Sequence, residues 1–194
     1  MSKVEKLNQR SETFCIVLND SGADVFHNSR YIRDKLKYCE ELEVIFVAVI
    51  KHDRDLDDDT KQLKTLHYHV VLQLDKMCRI GTMINKLVDL FSCNANQITI
   101  DKCNSLVMQV RYLIHLDDID KYHYPLFDIE TNDEEFVAKC FTYRKTIQSI
   151  DELITLVNQY GRNLLELMKV IGYENYKKYR VVINDIRKEM RFIL

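Results

Sequence analysis

The chain has 194 residues, of which 46% are hydrophobic and 30% are charged, with one proline and four glycines. This composition is typical of a folded protein and excludes a disordered or collagen-like chain. The formal net charge of −2 does not by itself indicate a nucleic-acid partner. No apolar run reaches the ~18 residues that a membrane span needs, and the N-terminus is too polar for a secretory signal. We therefore expect a cytoplasmic protein with reduced cysteines.

Strand and helix patterns alternate over the first 125 residues. Short apolar segments rich in β-branched side chains predict four strands, and apolar residues at helical spacing predict three helices between and after them. The order β-α-β-β-α-β-α predicts an α+β fold, with a ferredoxin-like antiparallel sheet and helices on one face. The predicted strands are 13–18, 43–50, 65–74 and 97–100, and the predicted helices are 29–39, 79–91 and 105–115.

The pattern changes after Pro125, where strand-like segments end. Four helical segments follow, at 134–145, 150–160, 164–171 and 176–192. We predict a domain boundary here, with domains 1–128 and 129–194. Four short helices bury little core of their own, so the second, all-α domain should dock on the first domain or on other copies of the chain.

The triplet His67-Tyr68-His69 predicts a metal site. Alternate side chains of a strand share one face, so the two histidines project together. If the second and third strands form a hairpin, His52 and Asp55 lie at the same edge. A mixed nitrogen and oxygen set suits Mn²⁺ or Mg²⁺. We predict ligands at His52, Asp55, His67 and His69, with Asp53 as a weaker candidate; the ordinary alternative is a polar pair on an exposed sheet.

Tyr112 is the candidate nucleophile. It lies in the predicted helix 105–115, within the segment Arg111-Tyr112-Leu113-Ile114-His115. A tyrosine on an amphipathic helix ordinarily packs in the core. Beside a metal ion on an open sheet, however, a phenol can attack phosphorus and form a covalent phosphotyrosyl intermediate.

These motifs, in this order and spacing, resemble the replication initiators of small rolling-circle plasmids from Gram-positive-type bacteria, which are HUH endonucleases. The resemblance covers roughly residues 13 to 125 and rests on four segments. They are Lys51-His52-Asp53-Arg54-Asp55, the segment 66–72 (LHYHVVL), the segment 111–115 (RYLIH) and Lys121-Tyr122-His123-Tyr124.

The resemblance implies a metal-dependent nick in one strand of the plasmid origin. Tyr112 would retain the 5′-phosphate and release a 3′-hydroxyl that primes synthesis, and Asp53 would orient a metal ligand. Arg111, His115 and Lys121 would contact the phosphate backbone. The origin would be single-stranded or a hairpin at the nick and duplex at the binding site, and the C-terminal helices would mediate homo-oligomerisation.

The chain has no GxxxxGK[ST] phosphate-binding loop, so strand separation would need a host helicase. A host DNA polymerase in the bacterial cytoplasm would be a further partner. Three other functions remain open. One is a different HUH nickase, such as a viral replication protein, a relaxase or a transposase. The second is a non-catalytic nucleic-acid-binding module on the same fold. The third is a metal-dependent hydrolase of small phosphodiesters, which would use water in place of Tyr112.

Overall fold

The structure is a computed structural model that describes residues 3–20, 25–57, 59–118, 120–142, 150–160, 167, 170–171 and 173–190. A five-stranded sheet organises the first part of the chain. Its strand order is β4-β1-β3-β2-β5, and every neighbouring pair is antiparallel. The first four strands have the ferredoxin-like order, which confirms the predicted fold class. The strands are β1 (Arg10–Asn19), β2 (Val44–His52), β3 (His67–Arg79), β4 (Ile98–Lys102) and β5 (Glu130–Thr131).

The described residues also form seven α-helices. Asn28 caps α2 by accepting a hydrogen bond from the Tyr31 backbone N–H at 2.9 Å, and Ser105 caps α4 in the same way through the Met108 N–H at 3.4 Å. The helices are α1 (Lys3–Asn8), α2 (Ser29–Lys37), α3 (Ile80–Phe91), α4 (Leu106–Tyr112), α5 (Glu134–Thr142), α6 (Ile150–Tyr160) and α7 (Tyr173–Met190).

One face of the sheet carries the main core. In β3, Tyr68, Val70 and Leu72 point to this face because side chains alternate along a strand, and all three are buried. They belong to one cluster with the apolar stripes of α2 and α3, which include Ile32 and Leu87. This is the arrangement that the helical spacing of apolar residues predicts.

The opposite face is partly covered as well. The alternation that buries Tyr68 turns His67 and His69 to this side. α4 lies against it, with the Tyr112 ring centroid 5.9 Å from that of His69. α5 covers a second region, where the rings of Phe46 and Phe136 meet edge to face at 5.0 Å. His67 and His69 therefore lie on a sheet face that α4 and α5 cover in part.

The chain divides into two compact units, residues 1–140 and 141–194. The first unit continues past the predicted boundary at 128/129 because β5 pairs with β2 and α5 packs on Phe46. A two-residue strand has too little pattern to be recognised in the sequence. In the second unit, α6 and α7 enclose a small core that includes Leu153, Val157 and Ile183.

The predicted elements of the first unit are present, and the predicted hairpin of β2 and β3 is confirmed. α1 and β5 were not predicted. The predicted helix 164–171 lies mostly outside the described residues, as do the ends of the predicted helices 134–145 and 176–192. Among the helices that the structure describes, none combines the length and apolar character needed to cross a membrane.

The central strand β3 should dominate the stability of the first unit. Leu72 is fully buried in it, so Leu72→Ala leaves a cavity and should lower the free energy of unfolding by about 3 kcal/mol. Leu63→Ala, the same truncation at a side chain that is 67% exposed, should cost less than about 0.5 kcal/mol. Urea denaturation followed by circular dichroism measures both; equal losses would contradict this account of the core.

Candidate active site

Backbone register brings three histidines together. His52 ends β2 and is paired directly with His67, the first residue of β3, while Ile50 is paired with His69. Paired residues in neighbouring strands share a face, and so do alternate residues in one strand. The ring centroid of His52 lies 5.6 Å from that of His67 and 4.4 Å from that of His69. The predicted histidine cluster is therefore formed by hairpin geometry alone.

Asp55 adds a carboxylate to this cluster. Just beyond β2, the chain turns so that Asp55 Oδ2 lies 3.0 Å from His52 Nδ1 and 3.4 Å from His67 Nε2. One ligand atom from each of His52, Asp55, His67 and His69 lies within 4.8 Å of all the others. These four predicted ligands form a group that could hold a metal ion, and we call them the metal group.

The hydrogen bonds around the histidines fit a metal. His52 Nε2 lies 2.7 Å from the Leu113 carbonyl oxygen, and His67 Nδ1 lies 2.8 Å from that of Thr65. A carbonyl can only accept, so each of these nitrogens carries the proton. In a neutral imidazole the other ring nitrogen then has a lone pair. The lone pairs of His52 Nδ1 and His67 Nε2 both face the Asp55 carboxylate, so three acceptors meet with no proton between them. A cation satisfies such a set, and metal-binding histidines are commonly oriented by carbonyls in this way.

The pKa values of two ligands favour the forms that bind metal. Burial alone would raise the pKa of the Asp55 carboxyl, but its interactions with the imidazoles of His52 and His67 outweigh this effect, and the pKa lies below the ordinary value. Burial also places the pKa of the His69 imidazole well below its ordinary value, with His52 and His67 adding to the effect. Asp55 is thus ionised and His69 neutral near pH 7, as metal ligands must be.

Tyr124 contacts two members of the metal group, His52 and Asp55. This contact was not predicted from the sequence. The Tyr124 ring stacks on His52, with centroids 4.2 Å apart and planes 3° from parallel. Its hydroxyl donates to Asp55 Oδ1 at 3.0 Å and accepts the Arg54 backbone N–H at 2.9 Å. Burial and the Asp55 charge raise the pKa of this phenol, which therefore remains a donor. The Tyr122-His123-Tyr124 segment was the only available signal in the sequence.

The predicted role of Asp53 in orienting a ligand has no counterpart among these contacts. Its carboxylate lies 3.3 Å from Lys51 Nζ and 4.0 Å from Arg54 Nε, on a half-exposed part of the loop. It is not one of the four residues in the metal group. Among these contacts, Tyr124 donates a hydrogen bond to Asp55, and the carbonyls of Leu113 and Thr65 accept hydrogen bonds from His52 and His67.

Tyr112 is the last residue of α4 and faces the metal group. The centroid of its ring lies 5.9 Å from that of His69. The Lys121 ammonium donates a hydrogen bond to the Tyr112 hydroxyl at 2.8 Å. Tyr112 and Lys121 line the same cleft as Asp55, His67 and His69, with a volume of about 660 Å³. The structure therefore brings the predicted nucleophile and three of the four predicted ligands into one cleft, with the fourth, His52, buried behind them.

The three predicted phosphate contacts differ in exposure. Lys121 lines the cleft, whereas His115 and Arg111 are buried. His115 Nδ1 donates to the Tyr122 carbonyl at 2.9 Å, burial lowers the pKa of this imidazole, and φ of 56° places the residue in the left-handed region. Arg111 binds both carboxylate oxygens of Asp117, at 2.7 and 2.5 Å, and donates to the Cys140 carbonyl at 3.3 Å.

We expect Tyr124→Phe to lower the affinity for Mn²⁺ about tenfold or more, because Asp55 loses a hydrogen bond while the stack on His52 remains. Titration calorimetry at neutral pH measures this affinity. The control is Tyr122→Phe, whose hydroxyl contacts Arg54 and not Asp55, and which should change affinity by less than about twofold. An unchanged affinity in folded Tyr124→Phe would reduce Tyr124 to a packing role.

Arg111→Gln should destabilise the protein by about 2 kcal/mol, because it leaves Asp117 and the Cys140 carbonyl without their partner. Urea denaturation tests this loss. The slope of log Kd for DNA against log salt should change by less than about 0.3, since the guanidinium is already paired. A slope reduced by about one would instead identify Arg111 as the phosphate contact that the sequence suggested.

Comparison with known proteins identifies the family. Residues 6–138 match the plasmid replication protein, origin binding domain, a stretch that lies within the first compact unit, residues 1–140. The chain is 25% identical over 172 residues to a replication protein of Staphylococcus aureus, covering 87% of this chain and 77% of that protein. It is 34% identical over 80 residues to the replication protein RepB of Lactiplantibacillus plantarum, covering 41% of this chain and 34% of that protein. The resemblance seen in the motifs is confirmed: the chain belongs to the plasmid replication proteins and carries their origin-binding domain.

Proposed function

We propose that this protein starts rolling-circle replication of a plasmid by nicking one strand of the origin, with Tyr112 as the nucleophile. The observation that carries the proposal is the shared cleft, which is lined by Tyr112 and by Asp55, His67 and His69, with the Tyr112 ring 5.9 Å from that of His69. Membership of the plasmid replication family supplies the substrate, origin DNA. The proposal is supported by the cleft, where a phenol lies next to a group of residues that could hold a metal ion.

The reaction follows from the atoms that the cleft presents. Tyr112 Oη attacks the scissile phosphorus, an O–P bond to the phenol forms, and the bond from phosphorus to the 3′ oxygen breaks. The phenol proton passes to solvent water, and the departing 3′ oxygen takes a proton from water. A divalent ion, Mn²⁺ or Mg²⁺, bound by His52, Asp55, His67 and His69 would polarise the phosphate and offset its charge. The 5′-phosphate stays on Tyr112 and the 3′-hydroxyl is free to prime synthesis.

Two simpler functions use less of this site. A metal-dependent hydrolase would activate water and would have no need for Tyr112 beside the metal group. A non-catalytic origin-binding module would need neither the ligand set nor the phenol. The orientation of His52 and His67 by carbonyl acceptors favours a metal-binding protein over the second of these functions.

We also propose that the second unit mediates self-association, as the resemblance implies. Its helices α6 and α7 keep large apolar side chains exposed, with Ile150 at 60% and Val181 at 69%. In a self-associated form, contact with another copy of the chain would bury these side chains. Strand separation and synthesis would then depend on a helicase and a polymerase supplied by the host.

The covalent intermediate is the direct test. We expect the protein, Mn²⁺ and a labelled single-stranded oligonucleotide that spans the nick site to give a protein–DNA adduct on a denaturing gel. Tyr112→Phe should lower its yield at least roughly 10³-fold, because the attacking oxygen is removed. Chelation of the metal should abolish the adduct as well.

Tyr122→Phe is the matched control, since it removes a phenol hydroxyl that contacts Arg54, outside the metal group; it should retain the adduct. Cleavage that survives Tyr112→Phe would point to a hydrolase that uses water. Binding without cleavage on a complete origin would leave only the origin-binding module.

A further inference from the structure

Lys121 makes the closest polar contact of the Tyr112 hydroxyl. Its ammonium nitrogen lies 2.8 Å from Tyr112 Oη and 4.9 Å from the centroid of the ring. The Lys121 side chain is 31% exposed, so the contact is screened only in part by solvent. A donated hydrogen bond from an ammonium is among the stronger kinds in proteins. The phenol oxygen is therefore held at one point in the cleft by a positive charge.

Local structure holds Lys121 in this position. The chain turns back after α4, with backbone bonds from Asp118 N–H to the His115 carbonyl at 3.0 Å and from Lys121 N–H to the Asp118 carbonyl at 3.4 Å. The Asp118 carboxylate lies 3.4 Å from the Lys121 ammonium. Burial would lower the pKa of Lys121, but the contacts with Tyr112 and Asp118 raise it above the ordinary value. Lys121 is thus a cation at neutral pH.

We propose that Lys121 is a catalytic residue of the nick, whose ammonium positions the Tyr112 hydroxyl and stabilises the negative charge on its oxygen. This inference rests on the proposed function. A phenol is a weak nucleophile while it keeps its proton, and a preorganised donor at the oxygen where charge develops lowers the barrier. It assigns to Lys121 a role different from the backbone contact that the sequence suggested.

The charge on Tyr112 Oη changes in both directions of the reaction. During attack, the Oη–P bond forms, the bond from phosphorus to the 3′ oxygen breaks, and the phenol proton goes to water. During rejoining, the 3′ hydroxyl attacks the phosphotyrosine and gives its proton to water. The bond from the 3′ oxygen to phosphorus forms, the Oη–P bond breaks, and Tyr112 departs as a phenolate that takes a proton from water. Lys121 keeps its own three protons throughout and stabilises the oxygen in both directions. Loss of Lys121 should therefore slow cleavage and rejoining by similar factors.

A contact with the phosphate backbone predicts a different result. Removal of such a lysine weakens DNA binding and lowers the salt dependence of Kd by about one unit of slope, while the rate at saturating protein stays close to that of the wild type. The two roles are thus separated by measuring the binding constant and the saturated rate independently.

The test is single-turnover cleavage of the labelled oligonucleotide by full-length protein at saturating concentration with Mn²⁺, with Kd measured separately. Lys121→Met should lower the saturated rate roughly 10²-fold. Its Kd should stay within about threefold of the wild type, the range expected of a side chain that does not contact the backbone. Transfer of the bound strand to a second oligonucleotide should slow by a similar factor.

Three further variants sharpen the test. Lys121→Arg keeps the charge and should recover the rate to within about tenfold of the wild type. Asp118→Asn leaves Lys121 in place but removes its carboxylate partner, and should slow cleavage by about fivefold. Lys64→Met is the matched control, because it removes one positive charge from another residue that lines the cleft, and it should change the saturated rate by less than about threefold.

Thermal unfolding of each variant shows whether it is folded. If Lys121→Met does not fold, the rates of Lys121→Arg and Asp118→Asn decide. A wild-type saturated rate in Lys121→Met, or in Asp118→Asn where only that variant folds, would overturn the role of Lys121 and leave the proposed function intact. A wild-type protein that forms no adduct on a complete origin would instead overturn the proposed function, and this inference with it.

Discussion

The pairing of His52 with His67 across the β2–β3 hairpin constrains every other part of the site. Side chains alternate between faces with a period of two, so a shift of the register by one residue would turn His67 and His69 into the core and bring Tyr68 out. Burial of Tyr68, Val70 and Leu72 on the other face prevents that shift. The same apolar pattern that stabilises the central strand therefore fixes the positions of the candidate metal ligands.

The segment from Tyr112 to Tyr124 completes the site by folding back on itself. α4 ends at Tyr112, and His115 adopts a left-handed backbone conformation that reverses the chain. This reversal brings Lys121 to the Tyr112 hydroxyl and Tyr124 to His52 and Asp55. One short segment thus carries the proposed nucleophile, its cationic neighbour and the residue that contacts two of the candidate metal ligands. Lys121 and Tyr112 lie nine residues apart, whereas Tyr124 reaches Asp55 over 69 residues of sequence, so the segment joins a local contact to a long-range one.

The slightly acidic net charge is consistent with an origin-binding protein once the location of the charges is considered. Asp55 is surrounded by imidazoles and a phenol, so its negative charge is directed into the ligand group rather than towards solvent. Arg111 is engaged by Asp117. A divalent ion in the ligand group would make the cleft positive where a phosphate has to sit, and contact depends on that local field more than on total charge.

The sequence alone determined the alternation of strands and helices and the face shared by His67 and His69. It also singled out Tyr112 as the candidate nucleophile and His52 and Asp55 as candidate metal ligands. Periodicity and residue type are local properties, so they can be read without coordinates. Only the tertiary structure decided that Tyr124 supports Asp55, that Arg111 is buried against Asp117, and that Lys121 contacts Tyr112. It also assigned β5 and most of α5 to the first unit. Each of these depends on how a turn or loop directs the chain, whether over six residues or over 69, or on a strand too short to show a period, and none of them leaves a repeating pattern in the sequence.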